Sequence, residues 1–268
     1  MTKIIVMTDI HITSEGDQII GLDPLERFQT VRDVAQRDHP DASLMILMGD
    51  LTHHGKLDQY QRLEGILSTQ SGRTFLMLGN HDVRDTFREI FADTATDRDG
   101  FVQGIIDLPQ HRLIMLDTKD GPFGHHAGRL CDKRLAWLKE ALTTTGDRIP
   151  LVFMHHPPFK TGIIGMDNIN LENGDAVLDM IAPYKSAHLF CGHIHRTISG
   201  STRGVAWTMF KSPCHQGVLD FTDPDSSLSV DEAGSYGLLL LTPDGVVAHS
   251  QDVGISQEIW RDTGSKSD

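Results

Sequence analysis

Five short clusters hold the residues of this 268-residue sequence that could do chemistry. They are Asp9-Ile10-His11, Gly49-Asp50, Gly79-Asn80-His81-Asp82, His155-His156-Pro157 and Gly192-His193-Ile194-His195. Mixed imidazole, carboxylate and amide ligands suit Fe, Mn, Zn or Co better than Ca or an all-thiolate site, and they do not choose among those four. Taken singly, each cluster is weak. An Asp-x-His tripeptide is common by chance, and Gly-Asp or Gly-Asn after an apolar run is ordinary turn chemistry. Their force comes from position: each begins where a short apolar run stops.

Those runs read as buried strands: Lys3–Thr8, Ser43–Met48, Arg73–Leu78, Arg112–Asp117, Ile149–Met154 and Ala187–Cys191, rich in Ile, Val, Leu, Met and Phe and bounded by turn residues. Helical patterns alternate with them. Asp23 reads as an N-cap followed by Pro24, and Leu25, Phe28, Val31 and Val34 follow helical spacing to about Asp38. Further helices are expected over Lys56–Thr69, Arg84–Phe91, Asp132–Thr143 and Asp175–Ala182. This alternation predicts a layered α/β core with much of its sheet parallel, and the carboxyl ends of parallel strands share one edge. Gathering so many ionisable groups there without partners is costly, and bound metal ions offset that cost. From Ile194 onward, Thr197–Ser201, Val205–Phe210, Tyr236–Leu241 and Val246–Ser250 look like antiparallel hairpin strands, with Thr222–Ser235 a surface loop or cap and Asp262–Asp268 a fraying tail.

Composition sets the outer bounds. With 39% apolar residues and 25 glycines the chain is globular, long enough for one large domain. Against 37 Asp+Glu there are 24 Lys+Arg, a formal charge of −13, which argues against a partner that is polymeric nucleic acid or an anionic membrane. No apolar run approaches a signal peptide core or a bilayer span. Cys131, Cys191 and Cys214 are widely spaced and form no CxxC, so the expected location is a reducing cytoplasm.

In this order and spacing the five clusters resemble the calcineurin-like metallophosphoesterase superfamily. Within it the chain is most similar to the bacterial class III cyclic-nucleotide phosphodiesterases and the related glycerophosphodiesterase. Met154-His155-His156-Pro157-Pro158 and Gly165-Met166-Asp167 through Glu172-Asn173-Gly174 carry the second likeness. The motifs span residues 9 to 195. The resemblance implies an α/β (α+β) fold of four layers, two mixed β-sheets in a sandwich flanked by helices. Residues 1–200 would carry the site, and 201–268 would complete the sandwich with a cap or oligomer segment.

Carried over by position, Asp9, His11 and His195 would hold one metal ion and Asn80, His155 and His193 another, with Asp50 bridging. A carboxylate bridges naturally through its two oxygens, and the neutral Asn80 leaves more positive charge for an anionic substrate. The implied reaction is hydrolysis of a small phosphodiester, by attack of a hydroxide held between the metals on phosphorus in line with the leaving alkoxide. His81 would be the active-site histidine, contacting a phosphoryl oxygen or protonating the leaving group, with Asp82 supporting it. His53 and His215 are candidate substrate contacts. His156 is open between a structural role and support of a ligand, and His54, like His53, lies where a substrate-contacting loop is expected but reads equally as an exposed loop histidine. His125-His126 reads as loop surface, and Met45, Met48, Met77 and Met154 as core. Homo-oligomerisation is a family-based expectation.

Other readings differ in particular residues. A protein Ser/Thr phosphatase would continue its second motif as Gly-Asp-x-x-Asp-Arg-Gly, whereas Gly49-Asp50-Leu51-Thr52-His53-His54-Gly55 lacks the Asp-Arg pair. A phosphomonoesterase or nucleotidase needs extra cations near the site, and Arg84 is the nearest. A catalytically silent interaction scaffold would have lost ligands, yet all seven positions are filled.

Overall fold

The computed structural model describes residues 1–69 and 72–255; Asp262–Asp268 lie outside the described residues. In chain order the elements are β1 (Thr2–Met7), α1 (Pro24–Asp38), β2 (Leu44–Met48), α2 (Leu57–Leu67), β3 (Thr74–Met77), α3 (Arg84–Ile90), β4 (Gly104–Asp107), β5 (His111–Leu116), α4 (Asp132–Thr143), β6 (Ile149–Met154), α5 (Ile164–Asp167), α6 (Gly174–Ile181), β7 (His188–Cys191), β8 (Ile198–Thr202), β9 (Val205–Met209), β10 (Gln216–Gly217), β11 (Ser229–Val230), β12 (Gly234–Thr242) and β13 (Gly245–Val253). α1 starts as its sequence predicts: the Asp23 carboxylate accepts from the Leu25 and Glu26 amides at 2.9 and 3.4 Å, and Pro24 takes the first helical position.

Two large sheets form, one in the order β13-β12-β1-β2-β3, the other β4-β5-β6-β7-β9-β8. The strands β1, β2 and β3 run parallel, as do β5, β6, β7 and β9. The unbroken apolar runs follow from this layering, because alternate residues of one strand meet different partners. In β1, Ile4 and Val6 pack between the sheets against Leu113, Met115, Phe153 and Phe190. Their neighbours Ile5 and Met7 pack outward among Phe28, Val31, Tyr60, Leu63 and Phe87 of α1, α2 and α3. On the far side Ile114, Val152 and Leu189 pack against Leu138, Leu142, Val177 and Ile181 of α4 and α6. The result is helix, sheet, sheet, helix. Met45, Met48, Met77 and Met154 all lie in these clusters, as the sequence suggests.

The C-terminal third is more mixed than its pattern predicts. β8–β9 and β12–β13 are antiparallel pairs, as expected. β9, however, also pairs parallel with β7, and β12 pairs antiparallel with β1, so these strands extend both sheets. The sequence pattern misses β4, an antiparallel edge strand on β5, and the two-residue pair β10–β11, which enters the segment expected to be loop. Strands of two to four residues give too little periodicity to register. Among the described residues no helix is long and apolar enough to cross a membrane.

Candidate metal centre

The five clusters leave both sheets at one edge. Asp9 follows β1, Asp50 follows β2 and Asn80 follows β3, while His155 and His193 follow β6 and β7 of the other sheet. Backbone bonds stitch the loops across: the Asp9 amide to the Gly49 carbonyl at 3.0 Å, and the Gly192 amide to the His155 carbonyl at 3.1 Å. Glycine is required at two of these turns by close approach. A Cβ on Gly79 would strike the Asp50 carboxylate, and one on Gly192 would strike the Thr8 hydroxyl. Among the described residues the non-glycine positions with left-handed backbone are Asp9, His11, Ile20, Asp50, His193, His195 and Arg203. Five of these seven are expected ligands, at φ 57°, 47°, 49°, 72° and 55° in that order. Such backbone costs energy and persists where the surrounding structure enforces it, typically at functional sites.

The structure brings all seven expected ligands together. Asp50 Oδ2 lies 3.3 Å from His155 Nε2 and 3.6 Å from His11 Nε2. Asp9 Oδ1 lies 3.4 Å from His195 Nε2 and 3.8 Å from His155 Nε2. His11 Nε2 and His195 Nε2 are 3.1 Å apart, and Asn80 Oδ1 is 3.2 Å from His155 Nε2. Asp9, His11, Asp50, Asn80, His155, His193 and His195 are all buried. One group drawn from them, Asp9 with His11 and Asp50, places its ligand atoms close enough to hold an ion, and His11 with His195 and His155 with His193 do so together with His215 and His156 respectively.

Backbone carbonyls fix the rings. His155 Nδ1 donates to Met48 O at 3.1 Å, His195 Nδ1 to His215 O at 2.9 Å and His193 Nε2 to Ile169 O at 3.1 Å. Each ring thereby turns its other nitrogen into the cluster, the orientation that a metal-ligating histidine adopts once that nitrogen has given up its proton. The electrostatics point the same way. Burial works against charge on Asp9 and Asp50, yet the imidazoles, His195 first for Asp9 and His155 first for Asp50, hold both carboxyls below their usual range. Burial also opposes charge on His155, but the Asp50 carboxylate carries it up to about 9, and Asp9 raises His195 likewise. Burial, reinforced by His155, pushes His193 down to about 3. The cluster thus recruits protons where a cation is wanted.

The remaining histidines sort by contact. His81 Nδ1 donates to His53 O at 2.8 Å, leaving Nε2 for the pocket, and the His81 amide donates to Asp50 Oδ1 at 2.8 Å. His53 stacks on His81 with ring centroids 5.2 Å apart, and burial holds it down at about 4. His215 is buried beside His195, its Nδ1 without a partner, and burial pushes it down to about 3. His156 has both ring nitrogens engaged, Nδ1 accepting from the Thr118 hydroxyl at 2.8 Å and Nε2 donating to His126 O at 3.1 Å, so it supports the site. Asp82 accepts from the Gly79, Leu51 and Thr52 amides and from the Tyr60 hydroxyl, locking the β2 and β3 loops together.

One expectation is extended and one corrected. His126 is exposed, but its ring faces the site, with Nδ1 3.1 Å from Asn80 Nδ2. Nothing in Gly124-His125-His126 announces this, because a long loop has no period to aim a side chain. Arg84 is consumed elsewhere: its guanidinium forks onto Asp117 at 3.0–3.2 Å. Beside the cluster lies a pocket of about 340 Å³ whose polar lining includes His11, Asp50, His53, Asn80, His81, His126, His193, His195 and His215. Its remaining lining is Ile19, Ile20, Met166, Ile169, Ile194 and Leu228, with Gly217 and Ser226–Ser229.

Comparisons with known proteins agree with this geometry. A probable cyclic nucleotide phosphodiesterase of Rhodopseudomonas palustris is 38% identical over 249 residues, covering 92% of this chain and 91% of its own. The glycerophosphodiester phosphodiesterase GpdQ of Enterobacter lignolyticus is 29% identical over 220 residues, covering 78% of this chain and 77% of its own. A dimetal phosphatase from Danio rerio shares the fold, with a TM-score of 0.72 at 15% identity over 94% of this chain and 96% of that one. The family profile for calcineurin-like phosphoesterases matches residues 2–197, a span that contains every one of the five clusters, and the chain belongs to that family.

Proposed function

We propose that the chain is a phosphodiesterase that works with two metal ions, each Fe, Mn, Zn or Co. Asp9, His11 and His195 would hold one ion, Asn80, His155 and His193 the other, and Asp50 would bridge them. The donor set fits: buried carboxylates and imidazoles converge within 3.1–3.8 Å, and the second nitrogens of three rings are tied to carbonyls. Two such ions activate water toward phosphorus and neutralise phosphoryl charge.

The chain's own residues do the rest. His81, with Nδ1–H held by His53 O, presents Nε2 to the pocket and when protonated donates to the leaving oxygen. His53 and His215 line the same pocket and would bound the phosphoryl group there. The apolar wall of Ile19, Ile20, Met166, Ile169 and Leu228 packs the substituents of the diester and excludes water.

A single observation carries the preference for diesters: among the described residues the pocket lining contains no Lys or Arg. A monoester dianion brings more charge than a diester monoanion and needs such groups. Small diesters of the cyclic-nucleotide or glycerophosphodiester class are the proposed substrates, in keeping with the names of the two curated relatives. The test is a rate panel of 3′,5′-cyclic AMP, glycerophosphoethanolamine, bis-aryl phosphate and mono-aryl phosphate, with chelator-treated and Mn-reloaded protein. Manganese-dependent cleavage of a diester ahead of the monoester supports the proposal. Faster monoester cleavage, or none with any of the four metals, overturns it.

A further inference from the structure

We infer that His126 is a positioning residue that decides which atom of the Asn80 amide faces the metal side of the site; this rests on the two-metal reading proposed above. Asn80 lies between two histidines, with Oδ1 3.2 Å from His155 Nε2 and Nδ2 3.1 Å from His126 Nδ1. An amide nitrogen only donates, so His126 Nδ1 is the acceptor and the ring carries its proton on Nε2. Rotating the amide by half a turn would set its carbonyl against the lone pair of Nδ1. It would also aim an NH2 group, which has no lone pair to give, at the metal side. An asparagine with solvent in place of His126 has no such preference.

His126 is itself anchored. Its carbonyl accepts from His156 Nε2, and His156 Nδ1 accepts from the Thr118 hydroxyl just beyond β5. Two residues on, Gly128 bridges both Lys119 and Leu171, and its Cα lies so close to the His156 ring that a Cβ there would sit 2.6 Å from Nδ1. A chain of contacts therefore runs from Thr118 through His156 to His126 and ends on Asn80, built wholly from protein groups. The imidazole at its end is exposed, so it contributes to the site without being part of the core.

The experiment titrates metal-free protein with Zn²⁺ in a calorimeter and counts bound zinc by elemental analysis, with urea midpoints to confirm folding. Wild type takes two ions. His126→Ala keeps one affinity and weakens the other by about tenfold, the lower end of what outer-shell partners of ligands are worth. His126→Asn, whose Oδ1 can replace Nδ1 as acceptor, recovers most of the loss. If His126→Ala fails to fold, His126→Gln, which places polar atoms only near the Nε2 position, takes its place against His126→Asn. Two wild-type affinities in His126→Ala overturn this inference alone, and so does an equal loss in His126→Asn. A wild-type protein that takes up fewer than two ions overturns the two-metal reading, and this inference with it.

Discussion

Asp117 and the pair Asp9 and Asp50 are equally buried and differently resolved. Asp117 sits at 0% exposure with its countercharge built in. Arg84 forks onto it, Arg134 Nη1 stands 3.8 Å away, and the Val102 and Lys119 amides donate at 3.0 and 3.1 Å. Asp9 and Asp50, at 0% and 2%, form no ion pair with Lys or Arg among the described residues and face imidazoles instead. Their backbone is also left-handed. A buried acid supplied with arginine is finished structure. A pair of buried acids ringed by imidazoles on strained backbone is completed by a cation from outside.

Breaking each side of that contrast should give different losses. The largest is Asp50→Ala, which removes the proposed bridge: diester turnover falls by at least about 10³-fold and bound metal drops below two per chain, by steady-state rates and elemental analysis. Turnover and metal content near wild type would remove the basis for the bridge. Next, Asp117→Asn leaves Arg84 without its carboxylate partner and costs about 3–5 kcal/mol of stability by urea unfolding, while the folded protein still takes up its full metal complement. A loss of metal in that variant would erase the distinction between the two regions.

Metal removal sharpens the comparison. Manganese at about a hundred times its dissociation constant stabilises by about 3 kcal/mol per site, so Tm rises by about 5–15 °C over the chelated protein. Asp117→Asn should show the same increment and Asp50→Ala little or none. The smallest effect lies away from both regions. Burial lowers His188 to about 4 from 6.5, beside Thr208 Oγ1 at 2.9 Å and Phe190. The folded state then binds fewer protons than the unfolded one between these values, so stability present above about pH 6.5 is lost as pH falls toward 4. Roughly 2 kcal/mol is involved after allowing for solvent, and His188→Gln should flatten that part of the pH–stability curve.

Much of the site was legible because short, strongly apolar strands end sharply. The β1, β2, β3, β6 and β7 runs each stop within a residue or two of an expected ligand, and parallel strands must put those ends on one edge. His126 was illegible for the opposite reason: the segment from Asp117 to Leu130 has no regular element to give it direction. Arg84 misled because proximity in sequence to Asn80 says nothing about which acid its guanidinium meets, and Asp117 arrives from a different strand. The β9 and β12 pairings were equally hidden, since an alternating apolar pattern marks a strand without naming its neighbours.

The order of residues alone settled which side chains are chemically capable, where the strands stop, and that strands and helices alternate in a layered α/β core. Those are local facts, written in spacing and apolar period; the two-sheet sandwich came only from the family resemblance. Folding alone decided that Asp50 meets both His11 and His155, that carbonyls from other loops fix the ring orientations, and that among the described residues no arginine lines the pocket. The first two depend on segments 20 to 107 residues apart in sequence coming within 4 Å, a distance no local pattern encodes.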